Sequence, residues 1–466
     1  ADIQILRGLS VLAVMAFHFQ FGLNGGYLGV DAFFVISGFV ITKGLYERMT
    51  LGRYSLSVFF LRRAQRLLPA LAATLILTGI FGAIFLSPFG QQQASALTGI
   101  ASLLGLANVE LAISGLDYFS TNSKSNALTN LWSLSVEEQF YMFLPLALIA
   151  MARFRGWMSS RQGWILVFLT VALSSFAVYF LFGILHSAPD NGYLAAAVGF
   201  YSPIPRAWQF AVGGLVALVT LNRRSIIYRP LVVARCGAWF FLAGTFVLAK
   251  VPDDQDGLSL WGIAVCAVTA FLLATPVNSS REGNAASLAL AGIGDRSYSL
   301  YLLHWPVWVL LAPAFVDPRF RASAALAVTL LVGELTYRYI ENPMRFWRPD
   351  RKLLVLRTVM LFWALGLVAL VALLSVRPLL NSVDSLQNKL EQSSHVEVPN
   401  DCFGVQERMT VDVADCWLER SPTSEANIYL IGDSFGAHLL PGLRETLSEK
   451  GLWVYTKSGC IPMSGR

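Results

Sequence analysis

Charge is what this chain has least of. Asp, Glu, Lys and Arg make up 14% of its 466 residues, where soluble proteins carry about 25%. Mean hydropathy is +0.56. An ordinary cytosolic enzyme is excluded, and so is a disordered chain, because 12% of residues are aromatic and apolar runs are long. Cysteine is scarce too: there are five, with no spacing that resembles a zinc site. Nucleic-acid-binding motifs are missing, so the net charge of +6 needs another account. From Arg377 onward there are 8 Lys+Arg and 12 Asp+Glu, which leaves +10 on residues 1–376. A basic, apolar front and a mildly acidic, polar tail read as two domains. In a membrane chain, basic excess belongs to cytoplasmic loops.

The cysteines divide the same way. Cys236 and Cys266 lie in apolar runs and are expected to pack as small hydrophobes. Cys402, Cys416 and Cys460 lie in the tail. If the tail is outside the cytoplasm, Cys402 and Cys416 form a plausible disulfide and Cys460 is left over.

A membrane span needs about 20 mostly apolar residues. Twelve stretches qualify: 3–21, 28–46, 67–87, 94–114, 132–152, 164–185, 206–221, 231–249, 259–276, 297–313, 322–340 and 353–376. The placement of Lys and Arg tests that count. Segment 43–66 carries Lys43, Arg48, Arg53, Arg62, Arg63 and Arg66 against Glu47, and 153–163 carries Arg153, Arg155 and Arg161 with no acid. Both are expected in the cytoplasm, with the N-terminus. Three candidates separate them, and an odd number would put them on opposite sides. The one expected not to span is 94–114, which holds Asn108 and Glu110 and reads as re-entrant or lying at the outer face. Eleven spans remain. Inner loops then hold eighteen Lys+Arg and outer loops four, and the tail is delivered outside.

Ionisable groups inside a bilayer are costly, so each is a functional candidate. Arg7 and His18 are eleven residues apart, three helical turns, and share a face. Arg7 is expected toward the cytoplasm and His18 toward the outside; the plain alternative is a snorkelling Arg and a hydrogen-bonded His. Asp31 lies near the outer end of span two, at a depth that would let it orient His18, or simply meet water. Arg63 and Arg66, three apart at the inner face, suit a phosphorylated ligand, or are ordinary positive-inside charge. Glu137 and Glu138 enter span five from outside, where a wet vestibule is the plain reading. Ser297, Tyr301 and His304 share a face of span ten, with His304 near mid-membrane. Glu341-Asn342-Pro343 reads as helix-terminating chemistry at the cytoplasmic face. Together these residues describe a polar core crossing the bilayer.

Six pieces now stand in order: Asp2-Ile3-Gln4-Ile5-Leu6-Arg7-Gly8 with His18, the run Phe33–Phe39, Arg63-x-x-Arg66, the run Trp132–Tyr141, the run Tyr298–Pro306, and Glu341-Asn342-Pro343. Together they resemble the acyltransferase-3 family of membrane O-acyltransferases over about residues 1–345. Ile5 stands where the family commonly has Gly. The resemblance implies transfer of an acyl group, usually acetyl from cytoplasmic acetyl-CoA, to a carbohydrate hydroxyl outside. It implies that His18 is the essential histidine and that Arg7, Arg63 and Arg66 lie near the donor. Tyr301, His304 and Glu341 would line the substrate path. Acetyl-CoA would be a substrate, with no permanently bound cofactor and no metal.

After a further span within 346–376 comes a linker, 377–425, and then Asn427-Ile428-Tyr429-Leu430-Ile431, which reads as a buried strand. It leads into Gly432-Asp433-Ser434, an amphipathic helix and a second strand at Leu452–Thr456. Strand, tight turn with Ser, helix, strand is how a hydrolytic α/β fold presents a serine. It resembles the SGNH domain fused to many acyltransferase-3 proteins, with Ser434 as nucleophile. That family needs an Asp-x-x-His later in the domain, and the 32 residues after Ser434 contain none. Residues 426–466 are therefore expected to be the N-terminal part of an SGNH-like domain, in a fragment cut at both ends.

The expected architecture is a polytopic all-α membrane domain of about eleven transmembrane helices, N-terminus cytoplasmic, followed by the start of an α/β SGNH-hydrolase-like domain. The expected location is a bacterial cytoplasmic membrane with the tail in the periplasm. The expected reaction uses Arg7, Arg63 and Arg66 to hold acetyl-CoA, and His18, with Asp31 or Glu137 and Glu138, to release the acetyl group. Ser434 then passes it to a surface polysaccharide such as lipopolysaccharide O-antigen, with peptidoglycan the alternative acceptor. A glycan transporter would show an internal repeat of spans, and none is evident. A membrane-anchored esterase would have no need of polar residues within the membrane.

Overall fold

In the computed structural model the chain forms two compact units, residues 1–374 and 375–466. The structure describes residues 2–51, 55–88, 90–114, 125–154, 160–185, 199–221, 229–250, 260–276, 285–315, 317–349, 352–383, 403–404, 417–419, 427–432 and 451–457.

The first unit is helical. In chain order the helices are α1 (Asp2–His18), α2 (Gly29–Thr50), α3 (Leu56–Phe85), α4 (Gln91–Leu103), α5 (Ala107–Ile113), α6 (Leu131–Phe154), α7 (Arg161–Leu185) and α8 (Ala207–Thr220). They continue as α9 (Arg229–Leu248), α10 (Leu260–Ala274), α11 (Ala285–Asp295), α12 (Ser297–Leu310), α13 (Pro318–Thr336), α14 (Asn342–Phe346) and α15 (Lys352–Val383).

Large apolar side chains face outward, and several ionisable groups are buried within an otherwise apolar interior. Phe240 is 79% exposed and Ile84 68%, whereas Asp31 is 5%, Glu341 1% and His304 0% exposed. Apolar side chains facing outward suit lipid, and the ionisable groups are gathered where helices meet. Cys266 follows the expectation and is buried, but Cys236 is exposed on α9.

Six helical stretches are long and apolar enough to cross a membrane among the described residues: Gly26–Thr50, Leu56–Phe85, Arg161–Leu181, Pro230–Leu248, Pro318–Phe346 and Lys352–Ser375. Hydropathy with the placement of Lys and Arg led to an expectation of eleven. The difference lies partly in short helices: α1, α8, α10 and α12 have 17, 14, 15 and 14 residues. At about 1.5 Å per residue these are shorter than a hydrocarbon core of about 30 Å. The 24 residues of α6 include Glu137 and Glu138. Segment 94–114 is not one helix. It breaks between α4 and α5 at Gly105, whose φ of +70° is a conformation that favours glycine.

Segment 43–66 is not a loop either: Lys43 and Arg48 belong to α2, and Arg62, Arg63 and Arg66 lie within α3. Nor does Glu-Asn-Pro end a helix. Pro343 has no N–H to bond the fourth residue back. The ladder widens to a π turn at Tyr337–Glu341, with the Asn342 N–H bonding the Tyr337 carbonyl, and the helix then continues as α14.

The helices that frame the site pack closely. At Gly38 an added Cβ would stand 2.0 Å from the Phe210 carbonyl oxygen, and at Gly213 it would stand 2.0 Å from that of Val35. Only glycine lets α2 and α8 approach this far, and their contact brings Asp31 to Arg206 and Gln209. Gln65 on α3 donates from Nε2 to the carbonyls of Met344 and Trp347, both at 2.7 Å, and fixes α14 against α3.

The second unit contains a mixed sheet of β1 (Phe403–Gly404), β2 (Trp417–Glu419), β3 (Asn427–Gly432) and β4 (Gly451–Lys457). β3 and β4 are parallel, in register from Asn427 opposite Gly451 to Gly432 opposite Thr456. β1 is also parallel to β4, and β2 is antiparallel to it. A parallel pair needs a crossover connection of a dozen or more residues, and 433–450 separates these two strands. The helix expected there, Ser434, Cys402, Cys416 and Cys460 lie outside the described residues.

Candidate active site

Arg7 and His18, three turns apart on α1, both face α12. Arg7 Nε donates to Ser297 Oγ at 3.1 Å, and His18 Nδ1 lies 2.9 Å from His304 Nε2. The two imidazoles are near-parallel, with centroids 5.1 Å apart, and the Trp305 ring meets His18 edge-on at 4.8 Å.

Pro306 shapes this stretch of α12. It has no N–H, so the Leu302 carbonyl loses its helical donor. Asn130 Nδ2 reaches the carbonyls of Tyr301 and Leu302 at 2.8 and 3.5 Å. The Tyr301 hydroxyl is 2.5 Å from Ser133 Oγ.

Asp31 does not orient His18. Its Oδ1 accepts from Arg206 Nη1 at 2.9 Å and from Gln209 Nε2 at 2.6 Å. The Arg206 guanidinium stacks near Phe200 and Trp132. Asp31 is thus one half of a buried ion pair joining α2 to the start of α8, and the position beside His18 Nδ1 belongs to His304. Glu137 and Glu138 do not serve His18 either. Arg63 grips Glu138 with both nitrogens, at 2.8 and 3.2 Å, and stands 3.7 Å from Glu137. Ser37 Oγ donates to Glu137 Oε1 at 2.8 Å, and the Arg63 guanidinium lies over the Tyr141 ring. The sequence placed these arginines and glutamates at opposite faces of the membrane. They meet because Arg63 sits inside α3 and the glutamates lie two turns inside α6.

Arg63 and Arg66 therefore do different things. Arg63 is neutralised. No ion pair or hydrogen bond holds Arg66 among the described residues, its Nε is buried without a hydrogen-bond partner, and its charged neighbours include Arg7, Arg63 and Arg345. The π turn delivers Glu341 to the same place, where it accepts from Ser299 Oγ at 2.6 Å and feels Arg66, Arg7 and Arg345. Arg7, Arg66 and Arg345 against Glu341 and the nearby Glu137 still leave the cluster positive, which is the chemistry of an anion site.

A cavity of about 90 Å³ joins these parts. Arg7, Arg63, Arg66, Glu137, Ser133 and Tyr301 contribute to its wall. His18 and His304 stand behind Tyr301, whose ring centroid is 5.2 Å from that of His304. Sequence reasoning placed Ser297 on the His304 face but missed Ser37, Tyr141, Arg206, Gln209, Ser299 and Arg345. Several sit in the runs that carried the family resemblance, but no spacing tells which helix each would face.

The family model described as "Acyltransferase domain" matches residues 1–373, and "SGNH domain (fused to AT3 domains)" matches residues 401–466. The chain belongs to the acyltransferase-3 family. It is 30% identical over 358 residues to the peptidoglycan O-acetyltransferase OatA of Listeria monocytogenes, covering 73% of this chain and 55% of that one. It is 31% identical over 360 residues to YrhL of Bacillus subtilis, provisionally named a peptidoglycan O-acetyltransferase, covering 73% of this chain and 54% of that one. A Staphylococcus aureus protein provisionally named an O-acetyltransferase is 27% identical over 364 residues, covering 74% of this chain and 58% of that one. The chain thus spans little more than half the length of these relatives. No solved structure matches it.

Proposed function

We propose that this acyltransferase-3 protein is a bacterial membrane O-acetyltransferase that moves acetyl from cytoplasmic acetyl-CoA to a hydroxyl of peptidoglycan outside. One observation carries the reading. Arg66, with Arg7 and Arg345 as neighbours and no carboxylate gripping it, stands on the wall of a cavity, and the same helix that supplies Arg7 presents a histidine base three turns away. A positive cluster beside a cavity suits the phosphates of coenzyme A. An imidazole suits the proton traffic of acyl transfer.

In the first step an attacking hydroxyl gives its proton to His18, and its oxygen bonds to the thioester carbonyl carbon. The carbon–sulfur bond breaks, and the coenzyme A thiolate takes the proton back from His18. An acyl-serine at Ser434 would split the transfer to the polymer in two: the serine ester forms, then a sugar hydroxyl displaces the serine oxygen. Arg7, Arg66 and Arg345 hold the donor, and the Arg63–Glu138 pair fixes the cavity wall without adding net charge.

The sequence alone favoured O-antigen as acceptor. The names of OatA and YrhL favour peptidoglycan, and the charge distribution supports a periplasmic tail. The test is labelled acetyl-CoA supplied to the cytoplasmic side of membranes carrying the protein. The Ser434→Ala variant is expected to bind donor normally and to leave peptidoglycan unlabelled; normal labelling by that variant would overturn the serine step.

A further inference from the structure

We propose that His304 is the positioning residue that sets the tautomer of His18, the work a carboxylate does for a catalytic histidine elsewhere. The inference rests on the acyl-transfer reading above and starts from hydrogen-bond polarity. His304 Nδ1 lies 2.7 Å from the backbone carbonyl of Tyr301. A carbonyl only accepts, so that nitrogen carries a proton. In a neutral imidazole the other nitrogen then bears the lone pair, and His304 Nε2 becomes an acceptor. His18 Nδ1, at 2.9 Å, must donate to it. His18 is therefore held with its proton on Nδ1 and its basic lone pair on Nε2.

Burial separates the two rings by role. His304 is 0% exposed and cannot touch substrate, whereas His18 is only partly buried. The carboxylates that could have oriented His18 are engaged elsewhere, Asp31 by Arg206 and Gln209, Glu137 by Ser37 and Arg63. Two features of α12 fix His304 in turn: its own bond to the Tyr301 carbonyl, and the grip of Asn130 on the same carbonyl at 2.8 Å. A neutral partner suits this depth, because it adds no second charge where water is scarce. When His18 takes a proton at Nε2 the pair gains one charge in total, and His304 Nε2 accepts a stronger, charge-assisted bond from the imidazolium.

The test compares His304→Gln, which keeps an acceptor oxygen near the position of Nε2, with His304→Leu, which has none. Both are made in the full chain and assayed in membranes with acetyl-CoA. Misplacing a general base forfeits part of its roughly 10²–10⁴-fold contribution, so His304→Leu is expected to lower kcat by about 10-fold or more. The KM for acetyl-CoA should stay within about twofold in both variants, since neither changes the arginines. His304→Gln should keep kcat within about threefold of the unsubstituted protein. Equal kcat values for the two variants would overturn the proposal. A second measurement does not depend on the variants folding: ¹⁵N NMR of the ring nitrogens in the unsubstituted protein should find His18 protonated at Nδ1 and bare at Nε2, and the reverse would overturn it. His18→Ala separates the inference from its premise. If that variant transfers acetyl normally, the acyl-transfer reading fails; if it is inactive while His304→Leu is fully active, only the role of His304 fails.

Discussion

Arg66→Met should make the protein more stable and less able to hold its donor. The Arg66 Nε is buried without a partner, and its neighbours include three other guanidiniums, on Arg7, Arg63 and Arg345. An unsatisfied buried donor costs about 1–3 kcal/mol, and crowded like charges add to that. Methionine keeps an unbranched stem against the same surface and removes both costs. A net gain of about 1–2 kcal/mol is expected, read as a rise of roughly 1–4 °C in the unfolding midpoint of the detergent-solubilised protein without ligand. A charge-assisted hydrogen bond contributes about 1.5–3 kcal/mol, and each 1.4 kcal/mol is tenfold. Coenzyme A binding, followed by calorimetry, should therefore weaken by about 10- to 100-fold. Arg66→Lys, which keeps the charge but not the planar fork, should fall between. A destabilised Arg66→Met protein that binds coenzyme A as before would refute the reasoning, because Arg66 would then be a structural cation.

Three further outcomes follow from the same geometry. Asp31→Asn strips Arg206 of its counter-charge, with side chains only 7% and 13% exposed; it should cost about 3 kcal/mol of stability while kcat per folded molecule is kept, the opposite of what a partner of His18 would show. A double-mutant cycle of Arg63→Gln and Glu138→Gln, scored by thermal unfolding, should give a coupling of about 1–3 kcal/mol, discounted for the one-third exposure of Glu138; a coupling under about 0.5 kcal/mol would mean that water, not Glu138, balances Arg63. Gly213→Ala on α8 puts a Cβ 2.0 Å from the Val35 carbonyl oxygen, whereas Gly44→Ala on α2 meets nothing within 4 Å; the first should lower the unfolding midpoint by the equivalent of about 1–3 kcal/mol and the second should leave it unchanged or raise it.

What was legible in the sequence was the content of each helix and the face its residues share. The eleven-residue spacing of Arg7 and His18 does direct both toward α12, and the Asn-to-Ile strand before Gly432 is present as β3. What was not legible was partnership. Helical periodicity says which residues point the same way, never which neighbour they meet, so Asp31 and the glutamates were offered to His18 where the structure sets His304 beside it. Depth was misread where helices begin earlier than hydropathy suggests: charged residues at the ends of α2 and α3 looked like a loop, and Arg63 was placed far from Glu138. Pro343 looked like a stop because its missing N–H breaks the regular ladder, yet a π turn absorbs the defect and carries Glu341 into the arginine cluster. Four of the stretches expected to span hold helices of only 14 to 17 residues, because composition is blind to where a helix is cut.

The central claim is that His18 serves acetyl transfer to a cell-wall polymer. It is tested most directly in cells lacking the protein and complemented with its full-length form or with His18→Ala, by measuring O-acetyl groups on purified peptidoglycan and, separately, on lipopolysaccharide by NMR. The account predicts that acetyl is lost from peptidoglycan on deletion, restored by the unsubstituted protein and not restored by His18→Ala. Loss and recovery on lipopolysaccharide instead would move the acceptor, and full restoration by His18→Ala would contradict the account.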